Sequence, residues 1–488
     1  MELPESFSAS IRPLLGSEDF CRLVAALSEE QPVSIRLNAR FKPSVSRFAL
    51  AKATPVPWAA QGYYLSERPS FTFDPLFHAG CYYVQEASSM FVEQALQTYV
   101  HQPVVMLDLC AAPGGKSTHL LSLLPEGSLL VANEVMRNRS QILAENVAKW
   151  GSPDVVVTNN DPADFAPLEQ LFDVMLTDVP CSGEGMFRKD PVAVSEWSPE
   201  NVAICWQRQR RILADVWGSL KPGGLLIYST CTYNTHENEE NVAWICRELG
   251  AEVLPLQIPQ DWGVTGNLQG SGFPVYRFLP HRTAGEGFFL AVIRKHGDCQ
   301  ESCFAADMQR QQPAMAKSAR SKKGRPVAVG LPKESLLVAK SWVHDADTYA
   351  WITTDTAVSA FPQRYQPLLL RIQQHLRVLL AGVEVGQQKG KDLIPQHTLA
   401  LSSLLQPAAF PVSEVSYEQA IAYLRKEAVV LTDGSPRGYV LLTYQGVPLG
   451  FVKNIGNRAN NLYPQEWRIR SGYLPERLIP VFESFPSL

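Results

Sequence analysis

The chain of 488 residues contains no run of about 18 apolar residues, the length needed to span a bilayer. Its start, MELPESFSAS, lacks the basic head and apolar stretch of a secretory leader, so the expectation is a cytoplasmic protein. Paired CxxC clusters that would hold zinc are missing as well, and no metal is expected. The nine cysteines, at 21, 81, 110, 181, 205, 231, 246, 299 and 303, are an odd number and read as reduced thiols. Thiolate chemistry is therefore available. There is no repeat of fixed period and no coiled-coil heptad pattern. Charge of one sign is also scarce: a net −4 excludes coating of nucleic acid by bulk attraction while leaving local patches open. One stretch, Gln31 to Ser66, has no Asp or Glu at all, yet holds Arg36, Arg40, Lys42, Arg47 and Lys52. A solvated basic face and a grip on a polyanion both explain it.

What is present is ordinary globular composition, 45% apolar and 19% charged. At roughly 150 residues per unit, that length suggests about three compact pieces. Residues 1–95 read as a small α/β module leading into a helix. Residues 96–297 alternate short apolar runs with helical stretches, the pattern of an α/β doubly wound sheet. Its strands are VVMLDLC (104–110), SLLVANE (128–134), DVVVTNN (154–160), FDVMLTDVP (172–180) and GLLIYSTCT (224–232), closed by GFFLAVIRK (287–295) hairpinned with the segment before it. Apolar residues from Val202 to Leu220 at three- and four-residue steps predict a helix packed on that sheet. Residues 298–330 are a basic linker carrying Lys317, Arg320, Lys322, Lys323 and Arg325. A middle α/β domain (331–408) and a β-rich terminal domain (409–488) follow, the latter with a hairpin around Gln-Gly in GYVLLTYQGVPLGFVKNI.

Three clusters carry chemistry. LDLCAAPGGKS puts Cys110, Ala111, Ala112, Pro113, Gly114, Gly115 and Lys116 between a strand and a helix, a turn where backbone amides approach a ligand closely. A phosphate-binding P-loop is excluded because that motif needs Gly at 110, where Cys stands. Glu134, 19 residues past Gly115 in this sequence, ends the second strand where doubly wound folds offer a carboxylate to ribose hydroxyls, and Asp161 follows the third strand similarly. A helix cap is the plain alternative for either acid. DVPCSGEG then brings Asp178 and Cys181, and STCTYNTHENEENV brings Cys231, to the same carboxyl rim. A thiolate added to carbon 6 of cytosine makes carbon 5 nucleophilic, and a protonated carboxyl such as Asp178 at ring nitrogen 3 assists. A single cysteine is more often buried filler, and the residues alone leave open which thiol attacks.

In this order, CAAPGGK, DVPCSGEG and STCT resemble the Nop2/Sun class of RNA 5-methylcytosine methyltransferases. The likeness extends to SIRLN (34–38), YVQEASS (83–89) and FLPHRTAGEGFF (278–289), and covers nearly the whole chain. It implies a Rossmann-like class I methyltransferase sheet with an N-terminal RNA-binding module. GVPLGFVKNIGNRANNLYPQEWRIR resembles the PUA-like RNA-binding end of the family's bacterial small-subunit ribosomal RNA branch, which implies a PUA-like C-terminal region. The resemblance further implies that Cys110 to Lys116, Glu134, Asp161 and Asp178 surround S-adenosylmethionine, with Asp178 also facing the base. Cys231 would be the nucleophile and Cys181 would aid product release. The implied substrate is a cytosine of 16S ribosomal RNA near the decoding site; a base must leave its stack to meet a pocket on the sheet rim, so flipping is expected, and with nothing in the sequence suggesting an obligate dimer a monomer is expected. Lys116, Arg188 and Lys189 are candidate RNA contacts, and Tyr463 and Trp467 either stack bases or fill a core. Two other readings remain: the same chemistry on transfer RNA or large-subunit RNA, and a noncatalytic RNA-binding assembly factor on a methyltransferase scaffold.

Overall fold

A computed structural model describes residues 2–41, 53–297, 331–431, 434–474 and 479–483. Lys42, Arg47, Lys52, Cys299, Cys303 and the basic linker at 298–330 lie outside the described residues. Two helices, Glu5–Leu15 and Ser17–Ala26, precede an antiparallel sheet of β1 (Val33–Leu37), β2 (Thr54–Pro55), β3 (Gly62–Leu65) and β4 (Tyr82–Val84), ordered β2-β3-β1-β4.

The five apolar runs become β5 (Val105–Asp108), β6 (Leu129–Asn133), β7 (Val155–Thr158), β8 (Phe172–Asp178) and β9 (Leu220–Thr230). They lie parallel in the order β9-β8-β5-β6-β7. The chain runs one way from β5 to β7 and then returns to build β8 and β9, so β5 and β8 flank a topological switch point where the carboxyl ends open a crevice. Next come β10 (Ala251–Leu254), β11 (Tyr276–Phe278) and β12 (Phe288–Lys295). β12 inserts antiparallel between β9 and β10 and pairs with β11, as the closing hairpin was expected to do. The expected helix is Pro199–Trp217, capped by Ser198 and started by Pro199; it buries Val202, Cys205, Ile212, Leu213, Val216 and Trp217.

The segment read as a middle domain is less self-contained than its sequence suggests. β13 (Tyr349–Thr353), β14 (Ala357–Pro362), β15 (Val378–Ala381), β16 (Val383–Lys389) and β17 (Asp392–Pro395) follow one another, but only four of them form their own sheet, β13-β14-β16-β17. β15 instead pairs antiparallel with β7 and extends the large sheet. The helix before it, Gln366–His375, buries Leu368, Leu369 and Ile372 in the same cluster as Leu107, Val131, Val156 and Phe172. An open edge at β7 would leave a row of unpaired amides, and the chain covers it with its own later segment.

The terminal region holds β18 (Val412–Glu414), β19 (Gly438–Tyr444), β20 (Val447–Asn454) and β21 (Ala459–Asn461). Gln445 and Gly446, both with positive φ (51° and 76°), make the tight turn expected between β19 and β20. This region shares one apolar cluster with the N-terminal module, in which Ile35, Leu37 and Tyr82 meet Tyr423, Val440 and Tyr463. Tyr463 is fully buried there and Trp467 packs beside it, so both are core residues.

Ile372 is fully buried against the large sheet, so Ile372→Ala is expected to cost about 2–5 kcal/mol. In denaturant unfolding this loss should appear in the transition of the methyltransferase sheet. A separate transition for residues 331–408, with the sheet unaffected, would contradict the shared core.

Candidate active site

The chain leaves β5 through Cys110–Lys116. This loop is tied to its neighbours by Leu109 N–H on the Leu176 carbonyl (3.0 Å) and Ala111 N–H on the Asn133 carbonyl (2.8 Å). Gly114 (φ 112°) caps the helix Gly115–Leu123, and a Cβ there would stand 3.3 Å from Asn146 Cβ, so the position suits glycine in conformation and in space. The loop is also braced from below by a residue of the N-terminal module. Arg36 of β1 is fully buried and stacks its guanidinium on Trp150 at 4.4 Å. It donates to Thr118 Oγ1 (2.6 Å), Gln85 Oε1 (2.8 Å) and the Gly115 carbonyl (3.3 Å). Arg40 donates to the carbonyls of Leu401 and Ser402. These two members of the acid-free stretch therefore form neither a solvated face nor a surface for a polyanion; they hold modules together.

Glu134 ends β6 almost fully buried, accepts from Met136 N–H (2.8 Å) and has Arg139 3.5 Å away. Asp161 follows β7 and caps the short helix Pro162–Phe165, accepting from Ala163 N–H at 3.1 Å, with its carboxylate half exposed. The cap alternative thus describes its hydrogen bonding while leaving an acceptor face outward. A glycine turn at a helix start and carboxylates at the ends of β6 and β7 form the donor set that a ribose-bearing, amino-acid-bearing cofactor requires.

The other half of the rim carries the thiols. β8 and β9 are adjacent and parallel, so the loops after them emerge side by side. The Cys181 and Cys231 sulfurs are 3.0 Å apart, well beyond a covalent S–S bond, and Cys231 N–H also donates to Cys181 Sγ at 3.3 Å. The hydrogen bond to the Cys231 sulfur first, and then burial, push the Cys181 thiol well above the ordinary cysteine range. Asp178, at the end of β8, accepts from Lys116 Nζ (2.7 Å) and Ser229 Oγ (2.8 Å). Burial disfavours the Lys116 ammonium, but Asp178 outweighs it, and Lys116 holds its proton more firmly than usual. Lys116 also lies 5.3 Å from the centre of the Phe288 ring. The structure thus brings Lys116, Asp178, Cys181 and Cys231 together, with the Cys110 loop contiguous with them.

Several residues that organise this site were not singled out from the sequence. Glu184 accepts from the N–H groups of Tyr233 (2.7 Å) and Asn234 (2.9 Å) and from Trp197 Nε1 (3.0 Å). Glu237 accepts from Ser182 N–H (3.0 Å), Gln209 Nε2 (2.6 Å) and Asn234 Nδ2 (2.8 Å). Each carboxylate crosses from one thiol loop to the other. Their only signal in sequence was an acid inside each motif, GEG and HENEE. Of the candidate RNA contacts, Arg188 is buried in a bond network with Glu286 (3.1 Å), the Gly285 carbonyl (2.7 Å) and the Ala26 carbonyl (3.3 Å), while Lys189 is exposed.

Residues 94–294 match the family model described as 16S rRNA methyltransferase RsmB/F, residues 3–87 the N-terminal domain of 16S rRNA methyltransferase RsmF, and residues 410–469 the methyltransferase RsmF PUA domain. The crystal structure of a methyltransferase homologue protein from Pyrococcus horikoshii superposes with a TM-score of 0.51 at 30% identity, over 60% of this chain and 95% of that one. The protein is an S-adenosylmethionine-dependent RNA methyltransferase. Proteins named ribosomal RNA small subunit methyltransferase F from Klebsiella pneumoniae and Cronobacter sakazakii are each 32% identical to it, over 96% and 97% of this chain and 97% of theirs. The chain belongs to that methyltransferase F family.

Asp108 lies fully buried beneath the Cys110–Lys116 loop, with Ser117 Oγ on one oxygen (2.7 Å) and, among the described residues, no partner on the other. Burial pushes its carboxyl from 3.8 to about 7, opposed by Ser117 and aided by Asp178. A folded-state value above the unfolded one means that the folded protein binds the extra proton between them, so this group's contribution to stability falls as pH rises from about 4 to 7. Asp108→Asn should remove that slope and raise the melting temperature relative to wild type at pH 8, with the difference fading below pH 4. Parallel pH–melting curves for the two proteins would refute it.

Proposed function

We propose that this enzyme methylates carbon 5 of a cytosine in 16S ribosomal RNA, near the decoding site, with Cys231 as the covalent nucleophile. The observation that carries this reading is the pair of sulfurs 3.0 Å apart beside the Lys116–Asp178 pair, 2.7 Å across, on the rim that also bears the cofactor loop. The small-subunit substrate rests on the names of the relatives, and the terminal PUA domain supports RNA recognition. Cytoplasmic action as a monomer completes the proposal.

When bound, S-adenosylmethionine supplies an electrophilic sulfonium methyl. Cys110 to Lys116 would cradle it, Glu134 and Asp161 would receive its ribose hydroxyls, and Asp178 would border it. The flipped base presents carbon 6 to Cys231. The thiolate of Cys231 adds there as Asp178, protonated at that step, gives its proton to ring nitrogen 3. Electron density pushed to carbon 5 would form the new bond to the methyl, whose old bond to the sulfonium breaks and leaves its electron pair on a neutral thioether sulfur. Loss of the carbon 5 proton to a base then expels Cys231 as thiolate, and nitrogen 3 returns its proton toward Asp178. Cys181, which retains its thiol proton, donates a hydrogen bond to the departing Cys231 sulfur and so eases release.

The test is transfer of tritiated methyl to small subunits, naked ribosomal RNA and bulk transfer RNA. Cys231→Ala should lose at least about 10³-fold in rate, while Cys181→Ala should accumulate a denaturation-resistant protein–RNA adduct. Label in 5-methylcytosine of 16S RNA is the expected product. Activity surviving Cys231→Ala but lost in Cys181→Ala would reverse the two roles. Label confined to transfer RNA would overturn the substrate.

A further inference from the structure

Cys181 and Cys231 are chemically identical, share a hydrogen bond and lie on one rim, so their surroundings must decide which sulfur carries the negative charge. Glu237 is fully buried on the loop after β9, yet it bonds the backbone N–H of Ser182, the residue next to Cys181, at 3.0 Å. Gln209 and Asn234 complete its shell at 2.6 and 2.8 Å, and among the described residues no Lys or Arg pairs with it. Its negative charge is therefore held by neutral donors alone and acts over distance on whatever titrates nearby. We propose that Glu237 is the positioning residue that assigns the two thiols their roles: bonded to the N–H of Ser182 next to Cys181, its carboxylate opposes loss of the Cys181 proton, so Cys181 keeps the shared proton and Cys231 is free to attack. The inference rests on the reading of Cys231 as nucleophile and deepens it.

The other groups around the pair do not supply this asymmetry against it. Lys116 is paired with Asp178 at 2.7 Å, so its positive charge is answered there. Glu184 faces the amides of Tyr233 and Asn234 and the Trp197 indole, and acts on Tyr233 and Glu237. Tyr228, whose hydroxyl donates to the Glu237 carbonyl at 2.6 Å, and Cys205, pushed up to about 11, both stay neutral. Glu237 itself is raised by burial, and the donated hydrogen bonds oppose that rise. Cys181 is raised first by its hydrogen bond to Cys231 and by burial, and Glu237 adds to that rise.

The experiment is alkylation of the full chain with limiting iodoacetamide across a pH series, mapped by peptide mass, together with the pH–rate profile of methyl transfer. Both cysteines are half-buried. In wild type Cys231 should react first and Cys181 only at higher pH. Glu237→Gln should lower the Cys231-to-Cys181 labelling ratio about tenfold, the size of one pH unit in thiol ionisation, and move the alkaline limb of the profile downward. Glu237→Asp, which keeps the charge, should restore the order at a reduced rate; a merely structural role would not separate these two variants. An unchanged ratio and profile in Glu237→Gln, or Glu237→Asp behaving like it, overturns the proposal. Should Glu237→Gln fail to fold, the order in wild type and Glu237→Asp decides, and Cys181 reacting first in either overturns it. Methyl transfer by Cys231→Ala would instead sink the nucleophile assignment, a result distinct from any labelling ratio.

Discussion

Two sulfurs 3.0 Å apart and fifty positions apart in the chain impose the constraint on which the site depends. Parallel pairing of β8 with β9 brings the two loops to one edge, but parallel strands only start loops side by side; they do not hold them there. That task falls to buried carboxylates. Glu184, on the loop after β8, accepts from Tyr233 and Asn234 on the other loop; Glu237, on the loop after β9, accepts from Ser182; and Gly185 N–H closes on the Cys231 carbonyl at 2.8 Å. Gly185 has no room for a side chain, since a Cβ would lie 2.6 Å from the Gly287 carbonyl and 2.8 Å from that of Cys231. Burying carboxylates against amides alone is costly, and the structure bears that cost where the reacting groups must stay fixed.

The Cys110–Lys116 half of the rim is held from a different direction. Arg36 comes from the N-terminal sheet, runs beneath the glycine turn and has one guanidinium nitrogen with no hydrogen-bond partner among the described residues. Burial lowers its hold on the proton to about 9, against help from Tyr83 and Glu93. A charge so placed ties the first module to the Cys110–Lys116 loop. Arg188 does the same on the thiol side, joining the end of the second helix at Ala26 to Gly285 and Glu286. The flanking parts are thus built into the active site rather than strung beside it.

That integration also marks where the sequence could be read and where it could not. β5 to β9 announced themselves as short apolar runs because a strand buried on both faces has no polar side to show. The Gln445-Gly446 hairpin was legible because its turn demands positive φ at two successive residues. Cys181, Cys231, Asp178 and Lys116 were legible because unusual residue types stood at strand ends. Arg36 and Arg40 misled, since a run of basic residues carries no information about depth. β15 was read as part of a separate domain because a strand's partner is a tertiary fact, and nothing in Val378–Ala381 names β7. Glu184 and Glu237 were passed over because their importance lies in what they bridge.

The apolar cluster shared by Ile35, Leu37, Tyr82, Tyr423, Val440 and Tyr463 joins the two ends of the polypeptide. On the ribosome, the first module to emerge must wait with an uncovered face until the last portion of the chain has been synthesised, while the large sheet between them has most of its strands in hand. A chain cut short before residue 410 would keep every strand of the large sheet and leave this face of the N-terminal module bare.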